Sequence, residues 1–397
     1  MSRRTTPRNA AICVCAGTLL LVLPQLVAAE LAYAPPARVA DMHQYVQNNV
    51  TCGDGTCSEA LHADDSEFDA FDDEPACNCL PDYCADAERW WVSADYLMWW
   101  IQGNRLPPLV TTSLPQTDPG QMALILFGDQ GVDDDLRHGV RLTIGGWLDE
   151  CREWGIEGHY FYVGDADGGH QAVVAIPDLL ESPIGIDTSS DVNSAGLLLR
   201  KTWLRSCQGH VALVGGYRYF RFRERLTIDE NLLFDDTMMG VHDNFAVQND
   251  FHGVDLGLAA QMQRGRWSLD ALTKLGLGSV RQQREITGQT QLTAYGETAT
   301  INQGLLTGSG NAGYWSDTQF AFVPELGVNL GYCVTPSLSL RAGYSLLWLT
   351  DALRTGDQIH SVVGDSGGPG GVPSAQASGD GTSVCVQGLS LGAEWRR

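Results

Sequence analysis

From Thr318 to Leu349 apolar and polar residues alternate with a period of two. Phe320, Phe322, Leu326, Val328, Leu330 and Tyr332 share one parity, and Gln319, Glu325 and Asn329 take the other. After Thr335-Pro336 the alternation restarts, with Leu338, Leu340, Ala342, Tyr344, Leu346 and Trp348 set against Ser339, Arg341 and Ser345. This is the period of a strand with one apolar and one polar face. Two settings produce it. One is a soluble antiparallel sheet packed on one face. The other is a transmembrane barrel, with lipid outside and a polar lumen inside.

Eight more segments repeat the pattern. In Trp90–Trp100, Val92, Ala94, Tyr96 and Met98 lie between two tryptophans on one face, opposite Ser93 and Asp95. At about 3.3 Å per residue and a tilt of roughly 40°, such a strand spans about 25 Å, the height of a barrel's apolar band. Val140–Leu148, Trp154–Val163, Val211–Phe222, Val254–Met262, Trp267–Ser279 and Val384–Trp395 follow the same rule, and Ala195–Trp203 follows it less cleanly because Leu198 shares the inner parity with Arg200.

The connections separate the two settings. Long ones (101–139, 164–194, 223–250, 280–317 and 350–383) alternate with tight turns at Glu150-Cys151-Arg152, Ser206-Cys207-Gln208, Arg264-Gly265 and Thr335-Pro336. Long loops on one side and short turns on the other are the mark of an outer-membrane barrel with both termini in the periplasm. The expected fold is therefore all-β, an antiparallel transmembrane barrel of ten strands, or twelve if Met122–Phe127 pairs with another loop.

The amino end adds a compartment. Arg3, Arg4 and Arg8 precede an apolar run from Ala10 to Leu23 and an A-x-A-like site at Val27-Ala28-Ala29, the layout of a secretory leader over residues 1–29. Its removal takes away three Arg and no acid, leaving 22 basic and 48 acidic residues, a net charge of about −26. A chain this acidic is poorly suited to binding nucleic acid, which needs clustered Lys and Arg. No later stretch supplies the roughly 18 continuous apolar residues of a spanning helix, so any membrane passage is by strands. Residues 30–89 read as an acidic, Cys-rich, mostly disordered periplasmic segment, and residues 90–397 as the barrel. Cys52, Cys57, Cys77, Cys79 and Cys84 are candidate disulfide partners in an exported chain; their spacing matches no zinc ribbon, and the neighbouring Asp residues lack the Gly of a calcium loop.

Candidate chemistry lies on the inner parity. Asp95, Arg141, Glu157, Arg218, Asp270, Lys274, Glu325 and Arg341 are expected to face the lumen, with His159, Arg200, Asp255 and Glu394 beside them. Mixed signs fit either charges paired across a narrow lumen or a polar path for solutes. Barrels of about eight strands are filled by side chains, so ten place the lumen near the filled end. Trp90, Trp100, Tyr332, Trp348 and Trp395 are the expected interfacial girdle. Gly364-Asp365-Ser366-Gly367-Gly368-Pro369 is identical to the stretch around the nucleophile of trypsin-like proteases, but the Ala-Ala-His-Cys context of the partner base is missing and the surroundings are a Gly-rich loop. His138, His159, His242 and His252 have no spacing that points to a hydrolase. No catalytic residue, metal or cofactor is expected.

Several stretches carry a family resemblance. They are Trp91-Val92-Ser93-Ala94-Asp95-Tyr96-Leu97-Met98-Trp99-Trp100, Leu106-Pro107-Pro108-Leu109-Val110-Thr111-Thr112, Gly145-Gly146-Trp147-Leu148 with Trp154-Gly155-Ile156-Glu157, Gly216-Tyr217-Arg218-Tyr219, Phe322–Tyr332, Gly343-Tyr344-Ser345 and Arg354-Thr355-Gly356-Asp357-Gln358-Ile359. In these the chain resembles the putative beta-barrel porin type-7 family, abundant in planctomycete bacteria and akin to the Legionella major outer membrane protein. Two departures stand out: the chain runs past Trp395 to Arg396-Arg397 instead of ending on an aromatic, and His360 replaces an Asp after Gln358-Ile359. The resemblance implies a barrel in the cell outer membrane, held by outer-membrane lipid and inserted by the barrel-assembly machinery. The expected function is a narrow porin for small solutes or ions, and the alternative is a closed barrel acting through its extracellular loops.

Overall fold

The computed structural model describes residues 89–397 except 107–109, 113–123, 128–130, 133–134, 165–169, 175–183, 207–208, 235–236 and 360–381. The leader, the five amino-terminal cysteines, His360 and the Gly364–Pro369 motif lie outside the described residues.

Ten strands form the wall: β1 Trp90–Ile101, β2 Leu136–Trp147, β3 Trp154–Gly164, β4 Ile184–Ser206, β5 Gly209–Phe234, β6 Thr237–Arg264, β7 Trp267–Ala294, β8 Gly313–Thr335, β9 Leu338–Ala352 and β10 Thr382–Arg396. Each pairs antiparallel with the next, and β10 pairs with β1 to close the ring, Trp91 standing opposite Arg396 and Ile101 opposite Val386. Closure leaves no open edge, as a membrane-spanning sheet requires. The two terminal arginines help to close it: the Arg397 carbonyl accepts hydrogen bonds from the Arg89 and Trp90 amides at 2.7 and 2.8 Å.

The outer face decides between the soluble and the membrane setting. Val92, Tyr96, Leu142, Ile144, Leu197, Leu213, Leu256 and Leu391 are all exposed on it. An apolar patch of this extent running round a closed ring fits lipid. Trp90, Trp154, Trp203, Trp267 and Trp395 are exposed at the end of the barrel where the tight turns lie, and Trp267 packs on Tyr332 at 4.9 Å between ring centroids. Trp100 is exposed at the other end of β1. Trp348 keeps the outward parity but is only half exposed, beside buried Leu346 and Cys385. Gly145 and Gly146 are required by the first tryptophans: a Cβ on Gly145 would meet the Trp91 ring at 2.2 Å, and one on Gly146 the Trp90 ring at 2.4 Å.

Two expectations need correction. Met122–Phe127 does not raise the strand number, because Leu124–Phe127 pairs with Val110–Thr112 in a small ladder off the ring. The stretches 223–250 and 280–317 are largely strand, not loop: β5 and β6 stay paired to Phe234 opposite Thr237, and β6 and β7 to Thr237 opposite Ala294. Beyond β7, Tyr295 and Gly296, both at positive φ, turn the chain into the short strand Glu297–Ile301, the backbone of a type I′ hairpin. The strands outrun the membrane because their polarity inverts. Above Tyr219 the outward residues of β5 are Arg221, Arg223 and Arg225, while Phe222, Leu226 and Ile228 face inward and are buried. This is the pattern of a sheet in water with a core on its inner side.

Candidate functional site in the lumen

The interior is layered. Nearest the tight turns it is charged, and the sequence-selected residues meet there. Arg218 donates to Asp255 at 2.9 Å and forms an ion pair with Glu325. Lys274 lies 3.1 Å from Glu325 and 3.5 Å from Asp255, so two cations and two carboxylates form one buried square across β5, β6, β7 and β8. Arg341 reaches Glu394 at 2.5 Å, and Arg200 reaches Glu157 at 3.2 Å. Charges withdrawn from water are tolerated when paired in this way. Asp95, Asp270 and His159 border the same space. Around them is a cavity of about 440 Å³ that extends to Trp90, Arg152 and Arg205 at the turn end.

Arg141 marks the upper boundary of this layer. Its guanidinium donates to the Ser345 hydroxyl at 3.3 Å and lies 5.1 Å from the Trp99 ring centroid and 5.8 Å from that of Phe161.

Above it the lumen is mainly apolar, with buried Arg137 of β2, opposite Trp99 in the register, donating to the Ser190 carbonyl at 2.7 Å. Leu97, Trp99 and Ile101 of β1, Phe161 and Val163 of β3, Val192 of β4, Phe220 and Phe222 of β5, Phe251 of β6 and Val280 of β7 are buried in one cluster. Ala321 and Val323 of β8, Leu347, Leu349 and Ala352 of β9, and Val384 and Val386 of β10 complete it. Nine of the ten wall strands thus contribute to a layer that crosses the lumen. Trp99 and Phe161 meet edge to face at 5.1 Å, a favoured aromatic geometry.

A second polar level follows. The turn after β9 brings Arg354 and the helical residues 355–359 into the barrel mouth. Arg354 pairs with Glu224 at 2.7 Å, the Thr355 amide donates to Glu224 at 2.9 Å, and the Thr355 hydroxyl accepts from Asn104 Nδ2 at 2.7 Å. Asn249 donates to the Leu353 carbonyl at 2.9 Å and accepts from its amide at 2.7 Å. Over this level lies a second apolar cluster of Leu106, Ile184, Ile186, Leu226, Ile228, Phe245, Ile286 and Ile359. Asp243, next to it, holds residues 305–307 by accepting from the amides of Leu305, Leu306 and Thr307 at 2.9, 3.1 and 3.0 Å.

The eight lumen residues chosen from sequence therefore share one layer. Sequence reasoning missed the apolar layer and the Arg354–Glu224 pair. Of the histidines, His138 and His252 bond the Tyr96 and Tyr217 hydroxyls on the outer face, and His242 bonds Asp229 at 2.7 Å. Among the described residues no group of three His, Cys, Asp or Glu side chains is arranged to hold a metal.

A closed ring of ten antiparallel strands with a lipid-type outer face and a charged interior defines an outer-membrane-type β-barrel. The chain belongs to the putative beta barrel porin-7 family, whose model matches residues 91–172 and 166–396. No curated protein matches it significantly. Solved outer-membrane proteins match the chain at low identity. The outer membrane protease OmpT of Escherichia coli is 10% identical with a TM-score of 0.43, over 78% of this chain and 97% of its own. The attachment invasion locus protein Ail of Yersinia pestis is 10% identical at 0.22, over 78% and 100%. The toluene transporter TodX of Pseudomonas putida is 9% identical at 0.26, over 79% and 89%.

Proposed function

We propose that this protein is a non-catalytic barrel of the outer membrane whose lumen is closed, and that it acts through the strands and loops that project beyond the bilayer. One observation carries the reading: the apolar layer from Leu97 to Val386 that spans the lumen between two polar levels. Ions and sugars cross apolar, water-free constrictions poorly because they must shed hydration there. The Arg218–Lys274–Asp255–Glu325 square below and the Arg354–Glu224 lock above support the same reading, since each spends the charge of the lumen on internal pairing. The secretory leader, the lipid-type belt and the family support placement in the outer membrane, with lipid and the barrel-assembly machinery as partners. The narrow-porin alternative requires Trp99, Phe161, Phe220 and Phe251 to swing aside. A liposome-swelling assay with a small sugar tests the choice. Liposomes carrying the folded protein are expected to swell no faster than empty ones, and swelling that scales with protein content would replace this reading with the porin.

A further inference from the structure

We infer that the cavity at the turn end of the lumen is a binding site for a small organic dianion, entered from the periplasm. This rests on the closed-lumen reading, which makes the cavity a dead end and not part of a path.

Charge is the first argument. Seven basic and five acidic side chains line the cavity, a local surplus of about two positive charges in a chain whose formal net charge is −23. A concave, low-dielectric wall of one net sign concentrates ligands of the other. A dianion brings the site to neutrality.

Donors are the second. Arg200 Nε, Arg341 Nε and Gln263 Nε2 are buried at the cavity wall and have no acceptor among the described residues. Buried donors of this kind are matched by carboxylate or phosphate oxygens, and guanidinium groups bind such oxygens most strongly. Arg152 and Arg205 stand at the entrance, where they steer an anion inward. Size and wall are the third. About 440 Å³ falls in the range of small-molecule sites, and the wall sets Trp91, Phe161 and Leu272 beside the charged groups. An anion with a carbon skeleton uses both, which inorganic phosphate cannot.

The test uses the mature chain folded in detergent, with succinate, inorganic phosphate and glucose as probes, followed by calorimetry and tryptophan fluorescence. Saturable binding of succinate at one per chain is expected, tighter than phosphate, with no response to glucose. Arg152→Glu in the exposed turn and Gln263→Glu at the cavity wall should each weaken succinate about tenfold, while Gln289→Glu on the outer face should leave it unchanged. Folded fractions are read from heat-modifiable migration in gels. Absence of saturable succinate binding, phosphate binding more tightly than succinate, or folded Arg152→Glu and Gln263→Glu variants within twofold of the parent would overturn the inference. Conductance of the same preparation separates the two ideas. A silent barrel that ignores succinate removes only the binding site, whereas a conducting one removes the closed lumen whatever succinate does.

Discussion

Arg354 Nη2 meets Glu224 Oε1 at 2.7 Å with both side chains at most 5% exposed, which ties the helical turn after β9 to the wall strand β5. Glu224 also accepts from the Thr355 amide and hydroxyl at 2.9 and 3.1 Å, so one carboxylate holds two successive residues at the start of the turn. Removing one member of a buried pair leaves the other charge uncompensated, at a cost of about 3–5 kcal/mol. Glu224→Gln should lower unfolding stability by that order and open residues 350–359 to added protease. The double change Glu224→Leu with Arg354→Met should be more stable than either single variant. Equal stability of Glu224→Gln and parent in denaturant titration would remove the lock.

Leu256 lies mid-height on the outer face of β6 and is 55% exposed. If that face meets lipid, Leu256→Arg should destabilise the folded barrel by about 2–4 kcal/mol. Gln289 has an outward position on β7 beyond the belt, opposite His242, and there Gln→Arg should change stability by no more than about 0.5 kcal/mol. Reversible unfolding in lipid vesicles measures both. Equal effects at the two positions would contradict the assigned membrane band.

The alternation exposed most of this arrangement in advance, because lipid imposes a strict rule on the outer parity. It located all ten strands and put Arg218, Lys274 and Glu325 on one side of the wall. It could not reveal the apolar layer, because the outer rule leaves the inner parity unspecified: Leu97 and Trp99 follow Ser93 and Asp95 on the same face of β1. The inversion on β5 was present in the sequence, where Leu226 and Ile228 alternate with Arg225, Thr227 and Asp229. It reads as a loop only when apolar residues are expected outside. The Glu224–Arg354 pair joins residues 130 positions apart, and no local pattern connects them.

Asp250 lies on the outward face of β6, beyond the His252 level and outside the membrane band. Burial alone would raise its pKa, but hydrogen bonds from Arg221 at 2.6 Å, Gln248 at 2.6 Å and Tyr219 at 2.8 Å, with the Arg221 charge, hold it below the ordinary carboxylate value. A depressed carboxylate stabilises the fold above its unfolded pKa of about 4 and loses that contribution as pH falls through the folded value. Asp250→Asn should therefore flatten the loss of stability between neutral pH and about pH 3. Parallel stability curves for variant and parent over that interval would contradict the assignment.

The closed lumen is tested most directly by single-channel recording in a planar bilayer. The folded parent should give no discrete current steps at high or low salt, while the double variant Trp99→Ala with Phe220→Ala, which removes two buried rings from the apolar layer, should give them. Discrete steps from the folded parent would contradict the closed lumen and establish a pore.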